Sequence, residues 1–199
     1  MRRGEILDIA ENLFIQKGYA NTTINDLLDA TGLAKGSLYY YYSSKEDVLD
    51  GVVTRRGDQL VEAANLIAQT EGPSAPEKLM RLILSLKPST ELEQQLVDDL
   101  EVSSDGYMFL KSLTDIIQRL APILAQIIEQ GVAEEVFSTN FPLENAEVIL
   151  AATHALFDNP TFHWTPAETN GRVTALILAA ERIIGAEEGS FMQLAAQLS

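Results

Sequence analysis

The sequence predicts an all-α protein, and three observations carry that expectation. Apolar residues recur at three- and four-residue spacing along most of the 199 residues, as in Ile6, Leu7, Ala10, Leu13 and Phe14. That spacing puts them on one face of a helix. Gly and Pro stand where such runs stop or start, at Gly18, Gly32, Pro88 and Pro166. No alternating apolar and polar stretch is long enough to compete as a strand.

Taken in order, the first helix carries Ile6 to Phe14 and ends at Gly18. Thr23 heads a second, with Asp26 three residues on in a capping-box arrangement, and Gly32 stops it. A short third helix covers about Ala34 to Tyr41. A fourth opens on Ser44 with Asp47, or Ser43 with Glu46, and runs beyond Ala64. Thr70 to Pro76 is the clearest linker. Beyond it, Lys78 to Leu86 reads as a helix ended by Pro88, and Ser89 or Thr90 to about Val102 as another. After a break at Ser104–Gly106, a long helix carries Leu110 to Ile128 and closes at Gly131. Pro142 opens the next, ended by Asn159-Pro160. Pro166 begins the last long one, through Ile184, and a short helix follows Ser190. The expected domains are residues 1–58, reaching into the fourth helix, and residues 59–199.

Composition narrows the function classes. Apolar residues make up 46% of the chain, enough for a buried core. The absence of Cys excludes disulfides and thiolate metal sites and fits a reducing cytoplasm, where the protein is expected. Two histidines, without ligand spacing, make a transition-metal sensor an unfavoured reading. No Gly-rich phosphate loop follows a strand and no nucleophile elbow appears, so neither enzyme chemistry nor a cofactor is expected. The first residues are amphipathic rather than a signal peptide. The longest apolar segment, Leu120 to Ile128, is interrupted by Pro122 and Gln126, so no membrane span is expected.

The net charge of −15, taken as a total, opposes a nucleic-acid partner, but its distribution does not. Residues 1–58 hold seven Lys or Arg against nine Asp or Glu, which leaves seven basic against twenty acidic residues beyond. The acidic excess lies almost wholly outside the first segment, whose cations must gather on one face to meet phosphate.

The segment Thr23 to Asp47 has the form of two short helices joined by a Gly turn, where Gly32 suits a positive φ. Leu33 and Leu38 pin the second of them to the first, and the helical period turns Leu38 and Tyr42 inward. Lys35, Gly36, Ser37, Tyr39, Tyr40 and Tyr41 remain for its outer side. Lys35 and Ser37 fall in the first turn, where the helix dipole favours phosphate, and Gly36 permits close backbone approach. Four consecutive tyrosines cannot all be buried by one helix. Those outside offer hydroxyls to phosphates and rings to thymine methyls.

Residues 5–50 resemble the DNA-binding domain of the tetracycline-repressor-like (TetR) family of bacterial regulators. The resemblance rests on Ala10 to Phe14, Lys17-Gly18-Tyr19, Thr22-Thr23, Gly32 to Tyr39 and Lys45-Glu46. It implies a helix-turn-helix that reads one major-groove half-site per subunit, with Thr23, Lys35, Gly36, Ser37, Tyr39, Tyr40, Tyr41 and Lys45 facing DNA. Two departures bear on docking geometry. Ala34 stands where the family often has Ser, so the third helix lacks a side-chain N-cap. Leu28 stands where it often has a small residue, which affects the angle between helices two and three.

Beyond residue 58 the resemblance is architectural. It implies a larger helical regulatory domain that dimerises through its last two long helices and holds a ligand. Ala151, Ala152 and Ala155 on one of those helices, with Ala175, Ala179 and Ala180 on the other, permit close approach in a four-helix bundle. Candidate ligand-lining residues are Tyr107, Met108, Phe109, His154, Phe157 and Trp164, with Phe162 and His163 nearby. Asp98, Asp99 and Glu101 read as a solvated acidic face. The resulting expectation is a homodimeric repressor on a palindromic double-stranded DNA operator, released by a small-molecule effector. The alternatives are a protein-interaction module of the same fold and a constitutive regulator without a ligand.

Overall fold

A computed structural model describes residues 3–85, 106–157 and 161–193; of residues 106–109, 111 and 112 it gives the helical backbone alone. All regular structure in the described residues is helical: α1 (Arg3–Lys17), α2 (Ile24–Thr31), α3 (Lys35–Tyr41), α4 (Lys45–Gln69), α5 (Ala75–Ser85), α6 (Gly106–Ala133), α7 (Pro142–Phe157) and α8 (Pro166–Ile184). These residues divide into two compact units, with the boundary between Leu60 and Val61 inside α4. The expected helix from Ser89 or Thr90 to Val102, the break at Ser104 and the acidic residues Asp98, Asp99 and Glu101 lie outside the described residues.

The N-terminal unit closes around one core. Ile6, Leu7, Ala10 and Phe14 of α1 meet Leu27 of α2, Leu38 of α3, Tyr19, Tyr42, and Val48 and Val52 of α4. Each helix therefore gives its apolar stripe to the same centre. The stops act as expected. Gly18 (φ 78°) and Gly32 (φ 66°) take the left-handed conformation that ends α1 and α2. Thr23 and Asp26 form the reciprocal capping box. At α4, Ser44 Oγ accepts the amide of Asp47, while the Asp47 carboxylate accepts the amide and hydroxyl of Ser43. Gly51 makes the close approach of α4 possible, because a Cβ there would sit 2.9 Å from Leu7 Cδ2 and 3.1 Å from the Tyr42 ring.

In the second unit α6 packs on α5 and α7, and α7 on α8. α5 starts at Ala75, three residues before the expected Lys78, because Ser74 and Glu77 cap it inside the expected linker. α6 continues past Gly131 to Ala133, and the chain turns at Glu135 (φ 61°) instead. Gly131 has another role: a Cβ there would fall 1.9 Å from Phe137, whose ring lies against the helix backbone. Thr165 and Glu168 cap α8 with Pro166 in its first turn, and Gly185 (φ 68°) ends it. The buried Glu181 carboxylate accepts the amides of Gly189 and Phe191, which fixes the segment after α8.

Candidate nucleic-acid interface

The two faces of α3 differ in kind. Leu38 and Tyr42 are buried, at 1% and 2% exposure, and anchor the helix in the core. On the outer side Lys35, Gly36 and Ser37 are exposed, Tyr39 is 44% exposed and Tyr40 83%. Tyr41 is intermediate, and it packs against the core while its ring meets Tyr40 edge-on at 5.2 Å. The four tyrosines thus divide by helical period into one buried, one half-buried and two exposed. An exposed tyrosine ring loses hydrophobic stabilisation that burial would supply. Its hydroxyl and ring remain available to a partner.

Ala34 sits at the N-cap of α3 with φ −64° and ψ 146° and makes no side-chain hydrogen bond. The first-turn amides of α3 are therefore not capped by that side chain, as expected. Leu28, the other departure, is partly buried against the core.

The remaining expected positions have internal partners. Thr23 is exposed, and its hydroxyl exchanges hydrogen bonds with Asp26. Lys45 donates from Nζ to the Tyr19 carbonyl at 2.9 Å and lies 4.1 Å from the Tyr19 ring centroid. That contact ties the α1–α2 loop to the start of α4, on either side of the α2–α3 pair. The Tyr19 phenol is pushed up by burial and by Glu46 beside it. Glu46 itself is held below its ordinary value by its own amide and the Ser44 hydroxyl.

Three further pairings order the unit. Arg55 bonds to Asp8 at 2.5 Å and, with Arg56, to Glu11, so α4 grips α1. Arg3 donates to the Tyr42 hydroxyl at 3.2 Å with its guanidinium 5.1 Å from that ring. Lys17 meets Asp26 at 2.6 Å, and with the Thr23 bonds this holds the Asp26 carboxyl below the usual carboxylate range. Sequence reading misses these partners because they join residues nine to 47 positions apart; only the fold brings them together.

In the second unit His154 is buried on α7 and Phe157 is half-buried near its end. Trp164 donates its indole N–H to the Leu156 carbonyl at 2.9 Å, is flanked by Phe162 at 4.8 Å, and carries the Arg172 guanidinium 3.3 Å from its ring. Phe162 and His163 are exposed. The side chains of Tyr107, Met108 and Phe109 lie outside the described residues. Among the described residues no His, Cys, Asp and Glu cluster suits a metal ion, and no helix is long and apolar enough to cross a membrane.

Comparison with known proteins gives this geometry a context. Two family models match: bacterial regulatory proteins of the tetR family over residues 6–52, and a tetracyclin repressor-like C-terminal domain over residues 89–178. The HTH-type transcriptional repressor KstR2 of Rhodococcus jostii (strain RHA1) is 46% identical over 52 residues, which are 26% of this chain and 26% of that protein. The chain thus spans about a quarter of the length of that curated relative. A transcriptional regulator from Cytophaga hutchinsonii superposes with a TM-score of 0.67 at 20% identity, over 92% of this chain and 96% of that one. A TetR/AcrR-family regulator from Thermobifida fusca gives 0.60 at 23% identity, over 94% and 98%. At these identities the likeness to the solved structures is one of fold.

Proposed function

The chain belongs to the tetracycline-repressor-like (TetR) family of bacterial regulators, and from that premise we propose that it is a sequence-specific DNA-binding transcriptional repressor, working as a homodimer on a palindromic double-stranded operator. The observation that carries the reading is the outer face of α3, where Lys35, Gly36, Ser37, Tyr39 and Tyr40 stand exposed on a helix whose other side is locked in the core. A rigid helix with an unburied polar and aromatic edge suits a major groove. Thr23 and Lys45 flank it, and Tyr41 supports Tyr40 from beside. A dimer places two such helices on two half-sites, which is why the operator is palindromic in this reading. Footprinting on the DNA upstream of its own gene tests it. A protected, two-fold symmetric site is the expected result; the reading fails if no protection appears at micromolar protein.

The second unit supplies regulation in this proposal. An uncharged or cationic, largely apolar small molecule binds beyond residue 70, near His154, Phe157 and Trp164 and the segment Tyr107–Phe109. Acidic residues in excess beyond residue 58 disfavour an anion on approach. The ligand shifts the dimer toward an arrangement that no longer fits adjacent major grooves, and by linkage it binds the DNA-bound form less tightly by the same factor. A thermal-shift screen finds such ligands. A hit that stabilises the protein yet leaves operator affinity unchanged refutes the coupling.

A further inference from the structure

DNA affinity in this unit depends on which cations remain available to phosphate. Among its described residues, Arg55 and Arg56 are engaged by Asp8 and Glu11, Arg3 by Tyr42, and Lys45 by the Tyr19 carbonyl. Lys35 is exposed, with its Nζ 5.8 Å from the centroid of the Tyr39 ring. Lys17 differs from all of these in its place. Its Nζ lies 2.6 Å from Asp26 Oδ1, while Thr23 Oγ1 lies 2.7 Å from Oδ2 of the same carboxylate. The ammonium is thus within one carboxylate's span of Thr23, a residue on the proposed DNA face. The Lys17 side chain also keeps 45% of its surface in solvent.

The division of labour within this carboxylate is informative. The helix cap uses one oxygen: Oδ2 accepts both the amide of Thr23, at 2.7 Å, and its hydroxyl. Oδ1 serves Lys17. An amide at position 26 can keep the cap through its single carbonyl oxygen, but would turn an NH2 group toward Lys17. The geometry of the cap therefore survives loss of the charge, with weaker bonds to Thr23, while the hold on Lys17 does not.

We propose that Asp26 masks Lys17, neutralising a cation beside Thr23 and so lowering the protein's affinity for DNA of any sequence. The proposal rests on the DNA-binding reading above. A phosphate contact carries no sequence information, so the masked contact weakens specific and non-specific complexes alike. Base readout by α3 then makes up a larger share of the total affinity. The depressed carboxyl of Asp26 keeps the mask charged at any physiological pH.

The test is fluorescence anisotropy of the dimer on two labelled duplexes, the footprinted upstream site and a scrambled duplex of equal length, across a series of KCl concentrations. Wild type, Asp26→Asn, Lys17→Met and the double variant are compared, with circular dichroism to confirm folding. Asp26→Asn is expected to bind both duplexes several-fold more tightly at low salt. Its slope of log K against log salt should steepen by about 0.9 per subunit, one released counterion contact each. The double variant should return to the wild-type slope, and Lys17→Met alone should stay near it. A wild-type slope in Asp26→Asn overturns the proposal, as does a steeper slope that survives in the double variant. If Asp26→Asn does not fold, Asp26→Ser, whose hydroxyl can also accept from the cap, takes its place with the same expected slopes. Wild type that binds neither duplex removes the DNA reading itself, a result distinct from equal slopes on bound complexes.

Discussion

The N-terminal unit leaves two large hydrophobic side chains exposed among its described residues, Tyr39 and Tyr40, and both carry hydroxyls. Among the described residues of the second unit ten are exposed: Leu66, Leu110, Val132, Val136, Phe141, Leu143, Val148, Phe162, Ile183 and Met192, none with a polar group except the Met sulfur. The described residues of the smaller unit close around one core and show a polar-tipped edge, which suits a hydrated, hydrogen-bonding partner such as DNA. The larger one shows bare aliphatic and aromatic surface, which suits an apolar partner. Leu143 and Val148 are exposed on α7, and Gly171, Ala175, Ala179 and Ile183 form an exposed row at four-residue spacing on α8. Small residues at that spacing let another helix approach closely. In the homodimer proposed above, a second copy covers this surface of the described residues.

The largest effect should come from spoiling that row. Ala179→Arg introduces a long charged side chain where a close contact is expected, and strands its charge on assembly. Sedimentation should show a monomer, and operator affinity should fall by a factor on the order of 10² to 10⁴ as the gain from paired half-site binding is lost. Secondary structure should be unchanged, since Ala179 is exposed in the single chain. A variant that still sediments as a dimer would show that the uncovered surface of the second unit serves another partner.

The core of the N-terminal unit responds differently. Leu27→Ala removes a side chain with no exposure at the centre of the unit. The cost should be about 2–5 kcal/mol of unfolding free energy, read by denaturant titration. Tyr40→Ala sits two residues past Leu38 on the opposite face and should leave unfolding within about 0.5 kcal/mol of wild type. It should nonetheless weaken operator binding by about 1–3 kcal/mol if the ring contacts a base. Lys35→Ala should weaken binding to all sequences and flatten the salt dependence by about 0.9 per subunit. Unchanged affinity in both variants would remove α3 as the reading helix.

The same contrast governs what the sequence makes legible. In the first 52 residues the features that set structure are local: Gly18 and Gly32 at helix ends, Thr23 with Asp26, and the inward period of Leu38 and Tyr42. Short-range rules suffice for these, and helix boundaries follow within a residue or two. Gly131 misleads because its reason is tertiary, the Phe137 ring against its backbone, and a stop and a close approach look alike in sequence. Glu181 gives no signal either, since its partners, the amides of Gly189 and Phe191, are backbone groups. On the proposed interface, the exposed edge of α3 follows from periodicity, but the engagement of Lys17 and Lys45 does not, because Asp26 and Tyr19 reach them through the folded loop.

The smallest expected effect compares the two units through their helix caps. Asp26 in the first unit, and Glu77 and Glu168 in the second, each reach back to a Thr or Ser amide and hydroxyl. Backbone hydrogen bonds hold Glu77 and Glu168 below their ordinary 4.5, while Asp26, bonded chiefly to Lys17 and then to Thr23, falls below the usual carboxylate range. A carboxyl depressed in the folded state contributes stability above its unfolded pKa and loses it as pH falls through the folded value. The caps of α5 and α8 should therefore weaken first as pH drops below about 4.5, and the cap of α2 should persist to lower pH. Carboxyl carbon shifts followed by NMR should show Glu77 and Glu168 titrating above Asp26. Thermal melts provide a second check. Glu168→Gln should melt below wild type at neutral pH, and the gap should close in acid, where the wild-type side chain is itself neutral. A gap independent of pH would mean that Glu168 acts through packing and not as a charged cap.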